Sequence, residues 1–302
     1  MDLLDLDVFR AVANEGGIIR AARKLHRVPS NVTKRVQQLE AMLGARLFFR
    51  SRQRLFLSPS GELLLSYADR LLQLADEART AVSGRPPRGT FRLGSLESTL
   101  ASRLPALLQK FHRRYPEVRV ELTSGTNDAL TAAVADRRLD AAFVAEAPAN
   151  ADLSHLPMFA ERLVVITALA HRPVRRPADI EGDSLITFPS GCAYRRVLET
   201  WIGRRGLASA PVLDLASYHA IVACVASGTG VAVVPESVLD AVRGAPVARH
   251  RLPRAVSDFV TPFIWRSAER PPTVLALQEL LQDPGESRPA KRNGGARAPQ
   301  RS

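Results

Sequence analysis

Six residues, Gly84-Arg85-Pro86-Pro87-Arg88-Gly89, constrain the fold of this chain more than any others. Proline and glycine interrupt helix and strand alike, so no regular element continues through them. The patterns on either side differ as well. Before the break, apolar residues recur at helical spacings; after it, short apolar runs alternate with helical stretches. The chain therefore reads as two folding problems joined by a hinge at residues 84–90.

In the first part, Leu3, Leu4, Leu6, Phe9, Val12 and Ala13 predict an amphipathic helix over 3–15, stopped by Gly16-Gly17. Ile18, Ile19, Ala21, Ala22 and Leu25 predict a second, short helix. Pro29 suits the first turn of a third, whose apolar face is Val32, Val36, Leu39 and Leu43 and whose stop is Gly44. Leu47-Phe48-Phe49 and Leu55-Phe56-Leu57 then read as a hairpin with a basic tip. Three short helices and a basic hairpin make a winged helix-turn-helix over residues 1–58, with a third helix narrow enough for a major groove.

Charge supports that reading. The 302 residues carry a net charge of +12, and Ile18 to Arg54 contains ten basic residues against one acidic residue, Glu40. Such an excess attracts polyanions, although charge alone also fits a solvated basic face. The expected partner is double-stranded DNA. Lys34, Arg35, Arg50, Arg52 and Arg54 are expected at phosphates, and Ser30, Asn31, Thr33 and Gln37 at base edges or beside them.

Residues 59–83 predict a long helix. Within it Leu64, Ala68, Leu71, Ala75, Ala78 and Val82 are spaced by alternating fours and threes, the pattern of a heptad seam. A partner helix, hence a homodimer, is expected there; packing on its own domain is the competing reading.

Residues 91–281 alternate strands (91–94, 119–123, 141–145, 163–167, 185–188, 231–234, 259–265) with helices (99–112, 128–137, 194–204, 218–226, 272–281), which implies parallel βαβ units in a doubly wound α/β domain. The tail 282–302 has almost nothing to bury and is expected to be disordered. Six scattered histidines lack metal-ligand spacing, and Gly228-Thr229-Gly230 lacks the third glycine of a dinucleotide loop, so it reads as a turn allowing close packing. No catalytic residue, metal or cofactor is expected. The acidic start, the absence of a long apolar run and the presence of only two cysteines point to the cytoplasm and away from membranes.

The chain resembles the LysR-type transcriptional regulators. The resemblance is carried by Leu6-Asp7-Val8-Phe9-Arg10-Ala11-Val12, Ala21-Ala22-Arg23-Lys24-Leu25-His26, Gln38-Leu39-Glu40, Leu43-Gly44-Ala45-Arg46-Leu47-Phe48 and Leu57-Ser58-Pro59-Ser60-Gly61-Glu62. Leu139 to Ala145, Gly191 to Arg195 and Ser217 to Ile221 are similar to the YofA-like branch of its effector domains. The family implies a homodimer assembling to a homotetramer, with an effector domain of two subdomains like periplasmic binding proteins. Val28-Pro29-Ser30 departs from the family's usual Ser-Gln-Pro and removes a common base-reading glutamine; Ile19 replaces a frequent hydroxyl.

With that fold, four strand-to-helix loops are expected to converge on one cleft. They bring Ser98, Thr99, Thr126, Tyr194, Arg195, Tyr218 and His219 toward a small anionic or zwitterionic metabolite, with Arg195 as counter-charge to a carboxylate; a pair between Arg195 and Glu199, one helical turn on, is the competing reading. A second reading makes Cys192 and Cys224 a redox switch on the same DNA-binding scaffold.

Overall fold

The computed structural model describes residues 1–51, 54–84, 86–242 and 244–282, and the chain divides into two compact units at Gly89. The predicted hinge falls at that division, with Arg85 outside the described residues, as is the tail 283–302.

The first unit holds α1 (Leu3–Glu15), α2 (Ile18–Lys24), α3 (Pro29–Leu43), β1 (Phe48–Ser51), β2 (Arg54–Leu57) and α4 (Pro59–Ser83). Helix α1 starts in a capping box between Asp2 and Asp5 and ends at Gly16, whose φ of 64° is the left-handed turn glycine permits. Its core is Leu6, Phe9 and Val12 from α1, Ala21 and Ala22 from α2, Val32, Val36 and Leu39 from α3, and Leu47 and Phe48 from the hairpin. The strands pair antiparallel with Phe48 opposite Leu57. Glu40 Oε1 accepts the Leu47 and Phe48 N–H groups at 2.7 and 3.2 Å, tying α3 to the hairpin. Ser58 Oγ accepts from Gly61 N at 3.0 Å and donates to Arg46 O at 2.6 Å. A Cβ on Gly61 would stand 2.1 Å from Leu47 O, so only glycine lets α4 approach this closely.

Helix α4 corrects the expected seam. Ala68 is fully buried in its own domain's core and Leu64 packs beside it, because the first half of α4 lies on α1. The exposed apolar stripe is Leu63, Tyr67, Leu71, Leu74, Ala78 and Val82, turned by part of a helical circuit from the predicted one. Ala75 lies at its half-buried margin.

The second unit runs β3 (Gly89–Ser95), α5 (Glu97–Ser102), α6 (Leu104–Arg114), β4 (Val118–Ser124), α7 (Asn127–Ala135), β5 (Ala141–Phe143), β6 (Leu153–Ala168), a 3-10 turn at Pro177–Ile180, β7 (Leu185–Thr187), α8 (Ala193–Ser209), β8 (Val212–Asp214), α9 (Tyr218–Ala226), β9 (Ala232–Pro235), α10 (Glu236–Ala241), β10 (Val247–Arg251), α11 (Arg254–Ser257), β11 (Asp258–Arg266) and α12 (Pro272–Gln282).

It is an α/β domain, but not a purely parallel one. The main sheet is ordered β10-β6-β11-β5-β3-β4, with β9 also on β6; β3 and β5 are parallel, whereas β11 is antiparallel to both β5 and β6. The two long strands serve two cores. Leu156, Met158, Phe159 and Phe263 pack with Phe91, Leu104, Phe111, Phe143 and Val274, while Leu163 to Ile166 and Phe259 pack with Ile186, Leu198, Ile221 and Val231 to Val234. A register shift in β11 between Thr261 and Pro262 marks the passage from one subdomain to the other. The single helix expected over 99–112 is instead α5 and α6, separated at Arg103 ahead of Pro105, which has no N–H for a continuous helix. Helix α8 extends past the expected end to Ser209 across a break at Gly203, whose φ is 75°.

Candidate functional site

In the first unit, α3 presents Ser30, Asn31, Lys34, Gln37 and Gln38 to solvent opposite its buried Val32, Val36 and Leu39. Two predicted contacts are differently placed. Arg35 turns back to Asp5 of α1, with Asp2 3.8 Å away, so its guanidinium ties two helices together. Burial by itself raises the Asp5 carboxyl, but the Asp2 N–H and Arg35 outweigh it and hold the group below its usual value. Thr33 donates to Pro29 O at 3.0 Å, which occupies its hydroxyl within the helix. Arg52 and the side chains of Arg50 and Arg54 lie outside the described residues. Val28 caps α3 without a side-chain hydrogen bond; it and Ile19 at the start of α2 are exposed apolar groups beside the polar face.

In the second unit, four loops meet around a cavity of about 250 Å³. Leu96, Glu97 and Ser98 come from the end of β3 and the start of α5; Ser124 to Asn127 come from between β4 and α7. Phe188, Pro189 and Cys192 to Tyr194 come from between β7 and α8, and Ala216 and Tyr218 from the start of α9. The first two loops belong to one subdomain and the last two to the other. Ser98, Thr126, Tyr194 and Tyr218 are therefore brought together. Thr126 caps α7 by accepting from Ala129 N at 3.4 Å, and Ser98 Oγ donates across the cleft to Tyr194 Oη at 3.4 Å.

The other three predicted residues stand elsewhere. Thr99 is buried but does not line the cavity, and His219 is exposed outside it. Arg195 does not line the cavity: Nε donates to Glu199 Oε1 at 2.7 Å, and Nη1 to Asp214 Oδ1 at 2.7 Å and Phe188 O at 3.1 Å. The carboxylate-pairing role expected of it is withdrawn on that geometry. Among the described residues no lysine, arginine or histidine lines the cavity.

Glu97, Phe188 and Pro189 are lining residues that sequence reasoning left out, and Cys192 and Asn127, on two of the converging loops, were not singled out as ligand contacts. Glu97 and Asn127 immediately precede or follow chosen positions, but nothing in their spacing marks which neighbour faces inward. Burial pushes the Tyr194 phenol up to about 12 and Tyr218 well above the usual value, so both stay neutral donors at physiological pH. Burial also raises Glu97 against the opposing Tyr218 backbone N–H, and raises the Cys192 thiol against N–H groups of Arg195 and Tyr194. A raised thiol is a poor nucleophile, and both cysteines are free, which disfavours the redox reading.

Among the described residues there is no cluster of His, Cys, Asp or Glu fit to hold a metal, and no helix long and apolar enough to cross a membrane.

Residues 3–62 match the family described as bacterial regulatory helix-turn-helix protein, lysR family, and residues 84–284 match the LysR substrate binding domain. The sequence is 36% identical to the uncharacterized HTH-type transcriptional regulator YusT of Bacillus subtilis (strain 168), over 88% of this chain and 90% of that protein. It is 34% identical to the HTH-type transcriptional regulator YofA of Bacillus velezensis, over 88% and 92%. The fold is similar to that of full-length CbnR complexed with its target DNA, with a TM-score of 0.65 and 24% identity over 93% of this chain and 99% of that one.

Proposed function

The chain belongs to the LysR family of DNA-binding transcriptional regulators, and from that premise we propose that it holds an operator through α3 and the β1–β2 hairpin and alters that grip when a small metabolite enters the second-unit cavity. The observation that carries the proposal is the convergence of four loops from two subdomains on one small cavity walled mostly by apolar groups and neutral hydroxyls, with Glu97 its one acidic side chain among the described residues. A ligand there touches both subdomains, so its binding energy acts on their closure. Closure changes how the 84–90 segment presents the DNA-binding units to two half-sites.

The exposed stripe on α4 supports assembly through paired helices, since a run of Leu63, Tyr67, Leu71, Leu74 and Val82 left in water is otherwise unfavourable. We propose a homodimer joined there, assembling to a homotetramer and working in the cytoplasm. The likeness in fold to CbnR, solved with its target DNA, supports DNA as the partner.

The test selects an operator from random duplexes with the full chain, then adds a low-molecular-weight fraction of cell extract. Affinity or DNA bend should change on addition. Ala216→Trp, which fills the cavity mouth, should abolish that response. A response that survives the substitution would place the effector elsewhere.

A further inference from the structure

Resting on the reading of the cavity as an effector site, we propose that its ligand carries an ammonium group, which the Glu97 carboxylate holds, and that the effector is a small apolar amino acid or amine. Glu97 is the one acidic side chain in a cavity wall whose described residues include no cation. Its carboxylate accepts from the Tyr218 backbone N–H, while Oε2 is buried without any hydrogen-bond partner among the described residues. A buried carboxylate oxygen is not left unmatched without loss, and no group among the described residues is placed to match it.

The two nearest guanidinium groups along the chain are already engaged. Arg195 is held by Glu199 and Asp214, and Arg196 donates to Glu146 at 2.8 Å. The phenols of Tyr194 and Tyr218 stay protonated, so they add no charge of either sign. An incoming anion would meet a like charge offset only by the Tyr218 N–H and by His219 outside the cavity; two such charges about 5 Å apart in a partly buried site weaken binding by more than about tenfold. An ammonium gains by the same arithmetic and supplies the donors that Oε2 lacks.

Size and lining narrow the ligand further. About 250 Å³ walled by Leu96, Phe188, Pro189 and Tyr218 fits a compact apolar body. Oε2 is sealed in this state, so binding includes a turn of the carboxylate about its terminal torsion, which is broad for glutamate. That turn would loosen the Tyr218 contact, a link between the subdomains, and so couple ligand to closure.

The test measures binding to the full chain by calorimetry and thermal shift, with probes matched in body. These are L-leucine, isopentylamine and 4-methylpentanoate, then L-phenylalanine, phenethylamine and 3-phenylpropanoate. At least one nitrogen-bearing member should bind, with its deaminated acid at least about tenfold weaker. Glu97→Gln should weaken the nitrogen-bearing probe by at least about tenfold and erase the preference over the acid, whereas Glu97→Asp should keep the preference. An acid that binds as well as its nitrogen-bearing match overturns the ammonium assignment and leaves the cavity reading standing. Silence from every probe also overturns the assignment, and the extract response of Ala216→Trp then decides the cavity reading separately.

Discussion

Arg195 Nη1 donates to Asp214 Oδ1 at 2.7 Å, and this contact ties the guanidinium to the end of β8. With Glu199 one turn along α8, Asp214 fixes a cation that joins a helix to a strand. Its loss removes charge-assisted hydrogen bonds from a largely covered side chain.

Arg195→Ala should therefore destabilise the second unit by about 1–2 kcal/mol. Ligand affinity should fall much less than removal of a direct ligand contact would cause, because Arg195 reaches the cavity only through the Phe188 carbonyl. Thermal melts with and without ligand check this. A variant that melts normally but no longer binds would return Arg195 to the ligand.

Lys34 and Arg35 are adjacent on α3 but answer to different partners. Lys34→Ala should weaken every duplex similarly and flatten the dependence of log K on log salt by about one unit. Arg35→Ala should leave that slope alone and destabilise the first unit. Because Asp5 titrates below its unfolded value, its contribution is full above about pH 4 and is lost as pH falls through the lowered folded value. Without Arg35 the folded value moves back toward the unfolded one, so less stability should be lost on acidification. Binding isotherms between about 50 and 200 mM salt and melts from pH 2 to 7 separate the two residues.

These contrasts show how far the sequence was legible. Helices α1 to α3 announce themselves because one apolar stripe and clear stops, Gly16 and Gly44, agree. Only residues 163–167 of β6 stand out, since Leu163 to Ile166 are buried on both faces; Ser154, His155, Pro157 and Glu161 break the pattern over the rest of its 16 residues. Strand β8 is only Val212, Leu213 and Asp214, all exposed, too short a run to mark a strand by its apolar residues. The antiparallel crossing of β6 and β11 follows from long-range pairing, which periodicity does not encode. In the site, helix-opening residues Ser98, Thr126 and Tyr218 were legible from loop position. The pairing of Arg195 with Glu199 was legible as the alternative one turn along α8; its second partner, Asp214, was not, being 19 residues away. Gly228-Thr229-Gly230 was correctly a packing turn: a Cβ on Gly230 would stand 2.2 Å from Ser184 O.

On α4 the direction of each side chain separates assembly from folding. Leu74→Glu places a charge in the exposed apolar stripe and should yield smaller species in sedimentation with a normal melt. Ala68→Glu forces a carboxylate into the fully buried contact with α1 and should lower the melting temperature of the first unit. If Leu74→Glu sediments as the parent does, paired α4 helices are not the means of assembly.

Cys192 offers an independent view of the cavity. It caps α8, lines the wall, and has a thiol raised by burial, so at pH 7–8 it should carry less thiolate than free cysteine. In a Cys224→Ser background, iodoacetamide should modify it more slowly than free cysteine, with the rate rising only above the usual thiol range near pH 8.5. A bound effector should slow the reaction further by covering the sulfur. Mild peroxide should leave operator binding unaltered, because oxidation starts from thiolate and little is present. Rapid modification at pH 7, together with peroxide-dependent loss of operator binding, would reverse this assignment and restore the redox switch.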